Sequence, residues 1–237
     1  MADLRRDVVT GNWVVVGYKT IKSDSVGLCP FCPENEHFTP KTIREYKDTE
    51  GSWLLRCFSA MNPIFVIEED LKKRGEGIYD KMNNVGAHEV IVENRSHTKT
   101  MSDYTDRDYM LLLEMYQERI HDLKKDKRFK YIQVFKNHGE LAGSYILHPH
   151  SHVLATPAMP QRIELELTQS KTHYMQKERC LFCDIISQET RQDKRVVSIK
   201  IQVLSLFVRL PPDFPSKYGY CRGSTTAVSR TSMTKVQ

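Results

Sequence analysis

His148-Pro149-His150-Ser151-His152 places a histidine at every second position. On an extended strand, positions i, i+2 and i+4 share one face. The spacing therefore predicts three imidazoles side by side. Such a cluster suits metal ligation, phosphate binding or nucleophilic attack. A second group is Cys29-Pro30-Phe31-Cys32, two thiols at the spacing of a metal knuckle. Two thiolates need two further ligands to close a tetrahedral zinc site. His97 follows an expected strand, and His148 opens the histidine series. Cys29, Cys32, His97 and His148 would together make a Cys2His2 set. A thioredoxin-like redox pair is disfavoured, because no βαβ pattern surrounds the cysteines.

These residues need a scaffold, and the pattern of the chain is α+β. Trp13–Val16, Trp53–Phe58 and Ile64–Ile67 read as strands bounded by Gly, Pro and Asn, and His88–Glu93 alternates towards another. Thr105 to Lys125 reads as a helix. Its apolar positions Tyr109, Leu112, Leu113, Tyr116, Ile120 and Leu123 recur at three and four residues. Tyr131–Phe135 reads as a strand, 138–143 as a Gly-containing turn, His148–Ala155 as a further strand and 160–179 as a helix. His121 and His173, on the expected helices, read as solvated, and Cys57 as core.

The chain has 237 residues, of which 40% are apolar and 27% charged, enough apolar mass for a core. No apolar run approaches the roughly 18–20 residues of a membrane span. Met1-Ala-Asp-Leu-Arg-Arg leads into no apolar stretch of a secretory signal. Neither a membrane nor a secreted protein is expected. Four of the six cysteines lie in C-x-x-C pairs, Cys29/Cys32 and Cys180/Cys183, which in an intracellular chain favour metal over disulfide. The expected compartment is the cytoplasm.

Several segments in order resemble one known family. Asp7-Val-Val-Thr-Gly-Asn-Trp13 is followed by Cys29-Pro-Phe-Cys-Pro-Glu-Asn35. Then come Arg56 to Asn62-Pro63, Gly86-Ala-His-Glu-Val-Ile-Val-Glu93 with His97, Phe135-Lys-Asn137-His-Gly139, and the histidine series. As a set, over roughly 5–197, they resemble the galactose-1-phosphate uridylyltransferases, a branch of the histidine-triad superfamily. The resemblance implies a histidine-triad-like antiparallel sheet with helices packed on it. It implies a nucleotidyltransferase domain over 1–175 and the start of a second, incomplete repeat over 176–198.

The resemblance also implies roles. His150 would be the nucleophile that takes a uridylyl group from UDP-glucose or UDP-galactose and passes it to a hexose 1-phosphate. Asn137, Ser151, His152, Arg56 and Asn62 would bind phosphate or nucleotide. Zinc would be structural, held by Cys29, Cys32, His97 and His148, and the protein would form a homodimer. Two positions depart from the family pattern. His152 stands where the uridylyltransferases typically carry Gln, and Tyr145 stands where they usually carry Ser. A third histidine is the pattern of hydrolase branches. The alternatives are a nucleotide-sugar phosphorylase, a nucleotide hydrolase, or an inactive truncated nucleotide-binding protein.

The net charge of +5 has a local origin. Residues 199–237 carry six of the 35 Lys and Arg but only one of the 30 Asp and Glu, leaving 29 of each sign in 1–198. A nucleic-acid footprint should be a basic face on a folded domain, so no nucleic-acid partner is expected. The family resemblance also stops near Val197. Codons allowed for Lys217 to Thr226, read one frame away, can spell Ile-Trp-Ile-Leu-Pro-Arg-Lys-His-Asn. That echoes Val90 to His97 of the first repeat. The expectation is a frameshift near residue 198 and an aberrant, non-native tail over 199–237. Sequencing the gene around that codon checks it: a family-like second repeat should appear in the alternative frame, and a clean single frame without one rules it out.

Overall fold

The computed structural model describes residues 2–18 and 28–192, with the backbone of three later strands. The described residues divide into two compact units, between Met159 and Pro160. That division falls ahead of the domain boundary expected after 175.

The first unit is built on a five-stranded sheet. Its strands are β3 (Thr42–Lys47), β4 (Trp53–Ser59), β7 (Ala87–Val92), β8 (Tyr131–Phe135) and β9 (His150–Thr156). Their order is β3-β4-β7-β9-β8, antiparallel at every pairing. A smaller antiparallel sheet, in the order β2-β1-β6-β5, joins β1 (Asp3–Arg6), β2 (Trp13–Val16), β5 (Arg74–Glu76) and β6 (Tyr79–Asn83).

Alternation along the strands sorts the large sheet into two faces. Cys57, Ile91, Val153 and Ala155 pack in one buried cluster with Leu112, Met115 and Leu123 of helix α1 (Asp106–Leu123). Thr105 caps α1: its hydroxyl accepts from the Asp108 amide, and the Asp108 side chain accepts from the Thr105 amide. The opposite face carries Arg56, Phe58, Val90, Val92, His150 and His152. Register aligns them in rows, Arg56–Val92–His150 and Phe58–Val90–His152–Phe135. Gly86 precedes β7 where a Cβ would come within 2.8 Å of the Phe65 side chain, so only glycine permits this approach.

Several elements match their expected positions, and the α+β class holds. Two details differ. Ile64–Ile67 is not a strand: only Val66 bridges, to Val85, and the segment runs as a strap. Leu113 is exposed, and Arg119 takes a core place on α1 instead. Arg119 is tolerated there because Glu89 on β7 grips it with two hydrogen bonds of 2.8 Å. The sequence reading missed β1, β3, β5 and β6.

The second unit begins with α2 (Gln161–Lys177) and α3 (Leu181–Gln192). His173, expected to be solvated, instead meets Asp184 at 2.8 Å between these helices. Further on, β10 (Val196–Lys200), β11 (Leu204–Val208) and β12 (Tyr218–Cys221) pair antiparallel. The expected aberrant tail, 199–237, otherwise lies outside the described residues.

The Glu89–Arg119 pair tests the packing. Removing one partner of a buried ion pair strands the other charge and costs about 3–5 kcal/mol. Arg119→Ala should lower unfolding stability by that amount, read by denaturant titration. A loss below about 1 kcal/mol, the range of exposed pairs, would contradict the burial described here.

Candidate functional site: a Cys2His2 group beside paired imidazoles

The knuckle Cys29–Cys32 closes in a turn, with the Cys32 amide donating to the Cys29 carbonyl at 3.3 Å. Asn35 holds that carbonyl through its side-chain amide at 2.8 Å. The ligand atoms of Cys29, Cys32, His97 and His148 all lie within 4.8 Å of one another. Cys32 Sγ is 3.4 Å from His97 Nδ1 and 3.6 Å from His148 Nδ1. Metal–sulfur and metal–nitrogen bonds of about 2.3 and 2.0–2.1 Å at a tetrahedral angle give an edge of about 3.5 Å. The four residues therefore form a group that could hold a metal ion and is compatible with zinc. Among the described residues it is the one such group; Cys180 and Cys183 enter none.

His148 is the inner member, fully buried. Its Nε2 meets the Asn94 carbonyl at 2.8 Å, so Nε2 carries the proton and Nδ1 keeps its lone pair for the ligand position. Burial pushes the ring down to about 4, which keeps it neutral. Burial, and then Cys29, push the Cys32 thiol up to about 11, so ligation there releases a proton.

The expected row of three imidazoles is corrected at its first member. β9 starts only at His150, and His148 precedes it within the ligand group. His150 and His152 do share a face, with ring centres 5.0 Å apart and edge to face. His150 Nδ1 lies 2.8 Å from the His148 carbonyl. A carbonyl only accepts, so Nδ1 carries the proton and Nε2 is left with a free lone pair. Burial is the main cause that pushes His150 down, with Lys136 adding to it. Phe31, inside the knuckle, packs edge-on against His150 with ring centres 5.2 Å apart. His152 stacks on Phe135, and its Nδ1 meets His88 Nε2 at 3.0 Å. Burial pushes His152 to about 3 and His88 to about 4.

Ser151 does not join the imidazoles. Alternation turns it to the opposite face, where its hydroxyl donates to Glu93 and lies 2.5 Å from the Tyr116 hydroxyl. Buried Glu93 also accepts from the Tyr104 hydroxyl at 2.6 Å and the Lys136 ammonium at 2.7 Å. That network lies beneath the histidine strand and was missed from the sequence, which gave Glu93 no role and left Lys136 out.

The remaining expected residues fall in three places. Arg56 is buried on the imidazole face, between the Trp53 and Phe58 rings. Its Nη1 donates to the Thr39 hydroxyl at 3.1 Å, while Nε and Nη2 have no hydrogen-bond partner among the described residues. An unpaired buried guanidinium is costly, and an anionic group would relieve it. Asn137 lines a cavity of about 540 Å³ with His97, Lys136, His148 and His150. Asn62 lies in a bend after β4, where its carbonyl accepts from the Tyr18 hydroxyl at 3.1 Å.

One family model matches the segment that carries these residues. The model of the galactose-1-phosphate uridyl transferase N-terminal domain covers residues 13–160, and the chain belongs to that family. A galactose-1-phosphate uridylyltransferase of Thermotoga maritima is 28% identical over 198 residues, covering 82% of this chain and 59% of the relative. An ADP-glucose phosphorylase of Arabidopsis thaliana is 26% identical over 201 residues, covering 78% of this chain and 57% of the relative. The chain thus spans less than two thirds of these relatives. A solved uridylyltransferase shares the fold, with a TM-score of 0.76 at 24% identity over 93% of this chain and 66% of that one. No described helix is long and apolar enough to cross a membrane.

The ligand group predicts a metal content. Purified protein should carry one tightly held zinc equivalent, measured by elemental mass spectrometry. Cys32→Ser should remove it and lower the melting temperature, whereas Cys180→Ser should leave it in place. Zinc that follows Cys180 instead contradicts the grouping.

Proposed function

We propose that this chain moves a UMP group between a UDP-hexose and a hexose 1-phosphate through a covalent intermediate on His150. The observation that carries the reading is the hydrogen bond from His150 Nδ1 to the His148 carbonyl, 2.8 Å long. It leaves Nε2 as a neutral, oriented nucleophile, the form that attacks phosphorus.

In the first step the Nε2 lone pair bonds to the α-phosphorus. The bond to the bridging oxygen breaks, and hexose 1-phosphate leaves with its electron pair. In the second step a phosphate oxygen of another hexose 1-phosphate attacks the same phosphorus and the histidine nitrogen leaves. Charge develops on the phosphoryl oxygens in both steps, and donors aimed at them lower the barrier. Arg56, whose residue lies on the imidazole face, and Asn137, which lines the cavity with His150, would supply such donors. Zinc fits the Cys29, Cys32, His97 and His148 group, and its contribution there is structural. It would fix the His148 ring, and through the carbonyl of the same residue the ring of His150.

A second reading differs in the acceptor and admits an ADP-hexose as donor. A nucleotide-sugar phosphorylase would use inorganic phosphate in the second step. The likeness to a protein named ADP-glucose phosphorylase supports it.

Intact-mass spectrometry separates the two. Parent protein incubated with UDP-glucose or ADP-glucose should gain one nucleotidyl group, and His150→Ala should gain none. Discharge by galactose 1-phosphate supports the transferase, and discharge by phosphate alone supports the phosphorylase. Folded, zinc-loaded protein that takes no adduct from either donor overturns both.

A further inference from the structure

His88 and His152 are diagonal neighbours on the imidazole face, because His88 pairs with Leu154 and Val90 with His152. Two hydrogen bonds give this pair a direction. The Ile64 backbone N–H donates to His88 Nδ1 at 3.3 Å. A backbone amide has no second orientation and can only donate. Nδ1 of His88 must therefore hold a lone pair, and the proton of the neutral ring sits on Nε2. That Nε2 lies 3.0 Å from His152 Nδ1. His88 donates, His152 Nδ1 accepts, and the proton of His152 is left on its own Nε2.

We infer that His88 is a positioning residue that fixes His152 as the Nε2–H tautomer, making His152 a hydrogen-bond donor beside His150 rather than a proton acceptor. The relay starts from backbone, so it cannot reverse as a hydroxyl or side-chain amide can. Its members are also held in place. Asn84 donates its side-chain amide to the Ile64 carbonyl, the Ala60 amide donates to the His88 carbonyl at 2.8 Å, and Phe135 stacks on His152. The arrangement disfavours a doubly protonated His152, whose Nδ1–H would confront the N–H of His88. Burial acts in the same direction on both rings.

The catalytic consequence rests on the reading that His150 attacks phosphorus. The two adjacent rings then play opposite parts. His150 offers a lone pair at Nε2, and His152 offers an N–H to a phosphoryl oxygen. A base that activates water would need its lone pair where His152 holds a proton. The wiring thus favours transfer to a phosphate acceptor over hydrolysis.

The proton can be located directly in the zinc-loaded full chain carrying 15N-labelled histidine. Scalar coupling across the hydrogen bond should link His88 Nε2 and His152 Nδ1, with the proton bonded to His88. The resonances are assigned with His88→Phe and His152→Gln. A proton found on His152 Nδ1, or no coupling with a mixture of His152 tautomers, overturns the inference. This readout needs no turnover, so it stands apart from the fate of the nucleotidyl-transfer reading. A kinetic arm tests the positioning role. Losing one preorganised donor typically costs about 100–1000-fold, so loosening one should cost about tenfold in adduct formation for His88→Phe. In a His152→Gln background the same change should cost under about twofold, because an amide donates without a tautomer to set. Equal costs in the two backgrounds overturn the role assigned to His88.

Discussion

His148 makes three connections that the rest of the site depends on. One ring nitrogen belongs to the four-residue ligand group, the other is tied to the Asn94 carbonyl, and its own carbonyl holds the ring of His150. One residue thus ties the ligand group to the orientation of the neighbouring imidazole. A shift of the knuckle would reach His150 through two routes, the His148 carbonyl and the Phe31 ring. Histidine suits this place because its two nitrogens can be assigned separate tasks.

The sheet supplies what the histidines cannot supply for themselves. Parity sends His150 and His152 to one face and Ser151, Val153 and Ala155 to the other. The second face is anchored by α1 and by the ion pair of Arg119 with Glu89. Near the end of the histidine strand, Glu93 gathers Ser151, Tyr104 and Lys136, so that a buried carboxylate is fully engaged. Rigidity on one face permits precision on the other.

How much of this could be read from the sequence depended on how local the signal was. The C-x-x-C spacing and the alternate histidines are short-range patterns that point to three of the four ligand residues, and His97 was added from its place after an expected strand. Helix α1 announced itself by its period. Asp3–Arg6 and Thr42–Lys47 are too charged to show an apolar alternation, so these strands were missed. Ile64–Ile67 looked like a strand because it is apolar and follows Pro63, yet its amide and carbonyl serve His88 and Asn84 instead of a ladder. Ser151 was given a phosphate- or nucleotide-binding role by the family resemblance, whereas alternation turns it to the face behind the imidazoles. The roles of His88, Glu93 and Lys136 depend on partners from distant segments, which no local spacing encodes.

Alternation has a consequence for how such a site can change over generations. A substitution at 152 alters the chemistry presented on one surface and leaves the packed layer behind it untouched. A substitution at 151 or 153 does the reverse. Reactivity and foldability are therefore inherited almost as separate traits, carried on interleaved positions of one seven-residue strand. A lineage could exchange imidazole for amide at 152 without first acquiring compensating mutations in the interior.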